Sequence, residues 1–405
     1  MTVLIILPSC KEVETRADNL YADSYINYAT EVFLNPENPD FDEMGLFWTY
    51  WDEETGSVVE VPADSEEGAA LIDPDKPTII NVHGMLADGY YSKESYNINH
   101  RIVNPADFGL DTDRVNACYL WLNEGYNVGN FHYNKFATEV PTMIEAKIWA
   151  IDGKEGDTPV GVRYKKTDGK FSAPDVTAYS LAEHFAAEYI RAMNLLPDEM
   201  GNKEIRIAAH SMGGMLSGPA LFLLTELSKA GQIAKSKLPV RYAMMDAYFS
   251  TYNENVYWGP SDITIRWSGK PLIDNNTAFT LLECLKALDK EGIALEYYTY
   301  DSSTLYQAMK HMENEISEIT AFAIINPRLN YKGYNMLSQG HNAVREWYLC
   351  SILSEPVINT SEPDAFAPSA ALPTAYLKTL IGKKFKLTDG YETLTADDDK
   401  MIFLS

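Results

Sequence analysis

Ser211 is the residue in this chain best suited to covalent chemistry. It lies in Ala209-His210-Ser211-Met212-Gly213-Gly214, after an apolar run, Ile205 to Ala209, that reads as a buried strand. A small and apolar pattern follows through Met212, Met215, Leu216, Leu221, Leu224 and Leu227, and reads as a helix. A serine at a sharp strand-to-helix turn is lifted clear of the sheet. There a histidine can reach its hydroxyl, and the N–H of the next residue can face a developing oxyanion. Gly213 and Gly214 allow the helix backbone to pass close to the strand. The hydroxyl is a poor nucleophile unaided and needs a base. The other polar residues at predicted strand ends are His83, Asp246, Asp301 and His341. A parallel sheet gathers the carboxyl ends of its strands along one edge, where loops build a site.

The elements that must position these residues follow from hydrophobic pattern. Leu46 to Trp51 and Val58 to Val61 flank a Gly56-containing loop and predict an antiparallel hairpin at a sheet edge. Thr78 to Val82 is an apolar strand running into His83-Gly84, and Tyr126 to Tyr133 is another. A helix is predicted from Asp175 to Leu196, with Leu181, Phe185, Tyr189 and Ala192 on one face. Val240 to Met245 is a strand ending at Asp246, Thr277 to Leu288 a helix, and Leu295 to Tyr300 a strand ending at Asp301. Ala321 to Ile325 reads as the last core strand. Gln339-Gly340 puts His341 in a loop just before a helix carrying Val344, Trp347, Tyr348 and Ile352. Alternating strands and helices in this order predict an α/β protein with a mostly parallel central sheet covered on both faces.

At this point the chain resembles the α/β-hydrolase superfamily, and within it the lipases and esterases. Ala209 to Gly214 has the form of their nucleophile elbow, with alanine in place of the usual first glycine, and His83-Gly84 matches the His-Gly that follows their third core strand. The layout is matched over roughly residues 45 to 352. The resemblance implies the triad order serine, acid, histidine, with Ser211 attacking an acyl carbonyl and His341 taking and returning its proton. It implies an oxyanion hole from the backbone N–H groups of Met85 and Met212, with His83, Gly84 and Gly213 as supporting motif residues. For the acid, most members would use Asp301. Pancreatic-type lipases place it one strand earlier, which Met245-Asp246-Ala247-Tyr248-Phe249 resembles; Asp246 is preferred and Asp301 is the alternative. No role is assigned to His210. The implied activity is hydrolysis of a carboxylic ester, with no cofactor and no metal. The alternatives are a serine peptidase or amidase on the same fold, or a binding protein on a decayed hydrolase fold.

Three segments are divided out. Residues 1–44 are polar and acidic beyond the first ten; residues 45–354 form the hydrolase body, with lid-like insertions at 135–174 and 250–275; residues 355–405 are a Pro/Ser/Ala-rich linker and a short C-terminal extension packing on the body. With 33 Lys+Arg against 58 Asp+Glu, the net charge of −25 excludes nucleic acid and anionic membrane surfaces as natural partners. The substrate expected is small or lipid-like. No segment reaches the apolar length of a transmembrane helix. The four cysteines, Cys10, Cys118, Cys284 and Cys350, are scattered and form no metal or redox motif. Met1 to Cys10 resembles the end of a bacterial lipoprotein signal without its basic leader, with Cys10 as the lipid-anchor residue. Export, as a lipoprotein or secreted protein, is the expected location, with the cytoplasm as the alternative. The acidic turns at Asp73 to Asp75 and Asp397 to Asp399 lack the alternation of a calcium loop and are expected to be solvated.

Overall fold

Strands buried on both faces are largely apolar, and the middle strands of this sheet are so, apart from buried polar residues such as Asn81, Arg206, Arg241 and Glu296. The structure is a computed structural model. It describes residues 43–86, 93, 96–99, 114–149, 154–155, 158–159, 162–173, 179–198, 200, 203–249, 265–301, 303–326, 336–390 and 396–404. Cys10, with the rest of residues 1–42, and most of the 250–275 excursion lie outside them.

The strands of the main sheet are β1 (Gly45–Asp52), β2 (Ser57–Pro62), β3 (Thr78–Val82), β4 (Asn127–His132), β5 (Ile205–His210) and β6 (Arg241–Met245). They continue as β7 (Ala294–Thr299), β8 (Ala321–Ile324), β9 (Ile358–Asn359), β10 (Ala365–Phe366), β11 (Lys384–Asp389) and β12 (Lys400–Leu404). Their spatial order is 10-9-12-11-8-7-6-5-3-4-1-2. From β4 through β3, β5, β6, β7 and β8 to β11 every pairing is parallel. The β1–β2 hairpin closes one edge antiparallel, with Trp48 opposite Val61 in the hairpin and opposite Gly129 of β4. The chain is therefore a mixed α/β protein with a large, mostly parallel sheet.

Helices cover both faces. On one lie α2 (Pro141–Trp149), α3 (Leu181–Leu195), α4 (Met212–Lys229) and α5 (Thr277–Lys290), packed around Trp48, Val82, Phe131 and Tyr242. On the other lie α1 (Ala117–Asn123) and α8 (Met336–Cys350), around Ile79, Val128, Ala208 and Tyr298. Between β7 and β8 run the short α6 (Thr304–Met309) and α7 (Glu313–Ile319). No helix among the described residues is long and apolar enough to cross a membrane.

Away from the polar strand ends, the structure departs from the sequence expectations in five places. Helix α3 begins at Leu181, later than predicted, because Ser180 and Glu183 form a reciprocal capping box there. Within 135–174, α2 has all but its first residue buried, and Trp149 Nε1 donates to Met215 Sδ of α4 at 3.3 Å. A helix buried along its length packs here as part of the core. Strand β8 is not the last core strand, since β11 extends the parallel run beyond it. The Pro/Ser/Ala-rich stretch after 355 is packed, with Val357, Ala367, Ser369, Ala370 and Leu372 buried. Two buried arginines draw it in: Arg241 donates to the carbonyls of Ser369 and Leu372, and Arg206 to that of Ala370. Finally, the acidic turn near the C-terminus is not fully solvated, because Asp399 is 3% exposed and accepts from Trp347 Nε1 at 2.6 Å.

Candidate active site

Ser211 joins β5 directly to α4, and the turn is tight enough to force its backbone to φ 57°, ψ −124°, a region an L-residue seldom occupies. Hydrogen bonds on both sides hold it there. Ser211 N–H donates to the Met245 carbonyl at 3.0 Å, and the Ser211 carbonyl accepts from Tyr248 N–H at 2.9 Å. The end of β6 thus clamps the serine. Two glycines permit the approach of neighbouring backbone. A Cβ on Gly84 would lie 2.7 Å from Ser211 Cβ, and one on Gly213 would lie 2.6 Å from the Val82 carbonyl oxygen.

Asp246 follows β6 and is fully buried, with φ 43°. Its N–H donates to the Tyr298 carbonyl at 2.7 Å. Its Oδ1 accepts from Thr299 Oγ1 at 2.7 Å and from Ser303 Oγ at 3.0 Å. That leaves Oδ2, which lies 2.7 Å from His341 Nδ1. A ring nitrogen facing a carboxylate carries the proton, so His341 presents Nε2 as its basic nitrogen. The His341 side chain keeps 20% exposure, while the carboxylate it meets has none.

Asp301, the other sequence candidate, is held elsewhere. Its N–H donates to Asn326 Oδ1 at 3.0 Å, and its carboxylate faces Lys386 Nζ at 3.7 Å. The strand end that carries Asp301 contributes Thr299 and Ser303, whose hydroxyls fix Asp246. Neither hydroxyl was singled out from the sequence, because threonine at a strand end and serine before a helix have ordinary local uses. Ser303 is in fact also the N-cap of α6.

His341 does not sit in a loop. It lies in the second turn of α8, and Gly340, which reads as a breaker, is inside the helix. The glycine is there for space: a Cβ at 340 would come within 2.8 Å of the Tyr300 ring. Close approach of α8 to the end of β7 brings His341 to Asp246.

His83 is buried and saturated. Its Nε2 accepts from Tyr133 N–H at 3.1 Å, so Nδ1 carries the proton and donates to the Gly84 carbonyl at 2.7 Å. Its ring stacks on Tyr133, with centroids 4.3 Å apart. The His83–Gly84 turn is thereby fixed beside Ser211, with Met85 next in the chain and 44% exposed. Met212 is the first residue of α4, and its N–H has no acceptor within the helix. Among the described residues, neither Met85 N–H nor Met212 N–H donates a backbone hydrogen bond.

His210, for which no role was read from the sequence, touches the site directly. Its Nε2 lies 3.1 Å from the His341 carbonyl oxygen, and the two imidazole centroids are 4.3 Å apart. Burial, with His341 and Arg345 nearby, holds the His210 imidazole well below its usual range. It is therefore neutral, and Nε2 is the donor to that carbonyl.

Among the described residues, no group of three or more His, Cys, Asp or Glu side chains is disposed to hold a metal ion. The arrangement offers a serine at a strained turn, a buried carboxylate on a partly exposed imidazole, and two backbone N–H groups without backbone acceptors among the described residues.

No protein-family model matches the sequence, and no curated protein matches it. Solved structures match it at low identity and low TM-score. Esterase B from Lactobacillus Rhamnosis (HN001) is 10% identical with a TM-score of 0.28, over 69% of this chain and 73% of that one. The same esterase B in its tributyrin phosphonate-inhibited form gives 11% and 0.27, over 76% of each chain. A carboxylesterase structure from the ammonia-oxidizing thaumarchaeon Nitrososphaera gargenis gives 9% and 0.29, over 66% and 86%. At such identities and scores the likeness carries no weight for the chemistry of this chain.

Proposed function

We propose that this protein is a serine hydrolase of the α/β-hydrolase type that cleaves carboxylic esters through an acyl-enzyme on Ser211. The observation that carries the reading is the 2.7 Å contact of His341 Nδ1 with buried Asp246, at the strand end that also clamps Ser211.

In this reading His341 Nε2 takes the Ser211 proton as Oγ bonds to the acyl carbon, forming a tetrahedral oxyanion. The N–H groups of Met85 and Met212 receive that oxyanion. The proton on His341 passes to the leaving alcohol, and water then repeats the sequence to release the acid. Asp246 keeps His341 in the Nδ1–H tautomer and balances the imidazolium. Asp301, paired with Lys386, takes no part.

A fluorophosphonate probe is expected to label Ser211, as read by peptide mapping, together with turnover of p-nitrophenyl esters. Ser211→Ala should lose both. Asp246→Asn should cut kcat by about 10⁴-fold, as loss of the correct tautomer does elsewhere, with Asp301→Asn near wild type. Absence of both labelling and turnover in the wild-type protein would overturn the reading.

A further inference from the structure

We propose that His210 is a positioning residue for His341, holding the base by its backbone and along its ring. The proposal rests on the esterase reading for the meaning of "base" but on its own contacts for the holding.

Successive side chains leave a strand on opposite faces. His210 is the last residue of β5 and shares a face with Ala208, which belongs to the core on the side of the sheet that α8 covers, together with Ala343 and Val344. It therefore points toward the helix that carries His341, while Ser211 begins the turn into α4 on the opposite face. One strand end thus governs two groups: its turn sets the nucleophile, and its last side chain sets the base. The contacts are the Nε2–H donation to the His341 carbonyl at 3.1 Å and the ring contact at 4.3 Å, both with His210 only 5% exposed. Asp246 grips the same imidazole at Nδ1. A ring held at Nδ1 alone can still swing about that bond. A second ring alongside it, with its own helix turn tethered, removes that freedom.

Among the described residues, the groups facing the pair include Asp246 from the end of β6, Arg345 one turn along α8 and His83 from the end of β3. Of these three, Asp246 is the anion. A neutral His210 is what allows His341 to become a cation during turnover, since a second imidazolium beside it would oppose that charge.

The test uses full-length protein carrying ¹⁵N-histidine. With 7 histidines, the His341 Nδ1–H resonance is assignable by its absence in His341→Gln. In the wild-type protein the His210 Nε2–H should exchange slowly with solvent, and rapid exchange would overturn the tether without any variant. His210→Phe keeps a ring without the donor; His210→Gln keeps a donor without the ring. Each should lower kcat about 10- to 100-fold with KM nearly unchanged, as a misplaced base does, and should broaden or shift the His341 Nδ1–H resonance. Both should also displace the acidic limb of the kcat/KM profile. Wild-type kcat, pH profile and resonance in both variants would overturn the proposal, as would lowered thermal stability with these three unchanged. If the wild-type protein neither turns over esters nor labels at Ser211, the esterase reading fails, and the exchange and resonance measurements still decide whether His210 holds His341.

Discussion

Asp246 combines a left-handed backbone, complete burial and a carboxylate with both oxygens bonded. Such a residue is over-determined by its surroundings, and the hydroxyls of Thr299 and Ser303 are part of that determination. A hydrogen bond to a charged group contributes about 1.5–3 kcal/mol, and each 1.4 kcal/mol lost from transition-state stabilisation is about tenfold in rate. Thr299→Val and Ser303→Ala are accordingly expected to lower kcat by about 10- to 100-fold each. The Ser303 change should also cost about 1 kcal/mol of stability through its N-cap, which Thr299→Val should not share; stopped kinetics and thermal melts separate the two. The sequence offered both Asp246 and Asp301 at strand ends. Which of them meets His341 depends on how α8 approaches β7, a tertiary matter that no local pattern encodes. His210 was illegible for a similar reason: its partner is a main-chain oxygen 131 residues away.

Elements were more legible than contacts. The bounds of β3 match the apolar run Thr78 to Val82, and β5 and β7 differ from their predicted spans by about a residue, because strands buried on both faces leave a plain apolar signature. Gly340 shows where that legibility stops. A glycine beside a glutamine reads as loop, yet here it lies within α8 so that the helix can press against Tyr300. Gly213 makes the complementary point at the start of α4. Its missing Cβ faces the Val82 and His83 carbonyls, which belong to backbone and cannot swing aside. Gly213→Ala is therefore expected to destabilise the fold by about 1–3 kcal/mol and to push the serine turn off the His83–Gly84 loop. Urea unfolding would register the first effect and fluorophosphonate labelling rate the second.

Across the whole molecule, residues beyond 354 complete the sheet and neutralise its polar interior. Arg241 and Glu296 form a fully buried bidentate pair, and the Tyr298 and Tyr348 hydroxyls also donate to Glu296. Removing one partner of a buried pair leaves an uncompensated charge, so Glu296→Gln is expected to cost about 3–5 kcal/mol, measurable by denaturant titration. A second global effect concerns pH. Burial raises the Asp399 carboxyl to about 8 against the Trp347 hydrogen bond, with Asp398, Asp397 and Asp389 adding to the rise. The folded state then binds this proton more tightly than the unfolded state. Its contribution is complete below the ordinary aspartate range and is lost as pH climbs toward about 8. Asp399→Asn should flatten that loss, so its melting temperature should gain on wild type between about pH 5 and about pH 8. Parallel slopes for the two proteins would contradict the assignment. The acidic run was read as a solvated turn because three aspartates in sequence give no hint that the third folds inward against Trp347.

The carbonyl clamp on the two central arginines also bears on the order in which the chain is made. Strands β5 and β6 leave the ribosome well before Ser369, Ala370 and Leu372, whose carbonyls Arg206 and Arg241 require. Until those residues emerge, two guanidinium groups in the middle of the sheet lack part of their bonding and the face beside α8 stays open. Domains generally fold as units during synthesis, and this unit needs those late residues to complete the bonding of its central arginines. A nascent chain arrested before Ser369 should remain sensitive to protease, and release of the finished chain should bring resistance in a single step.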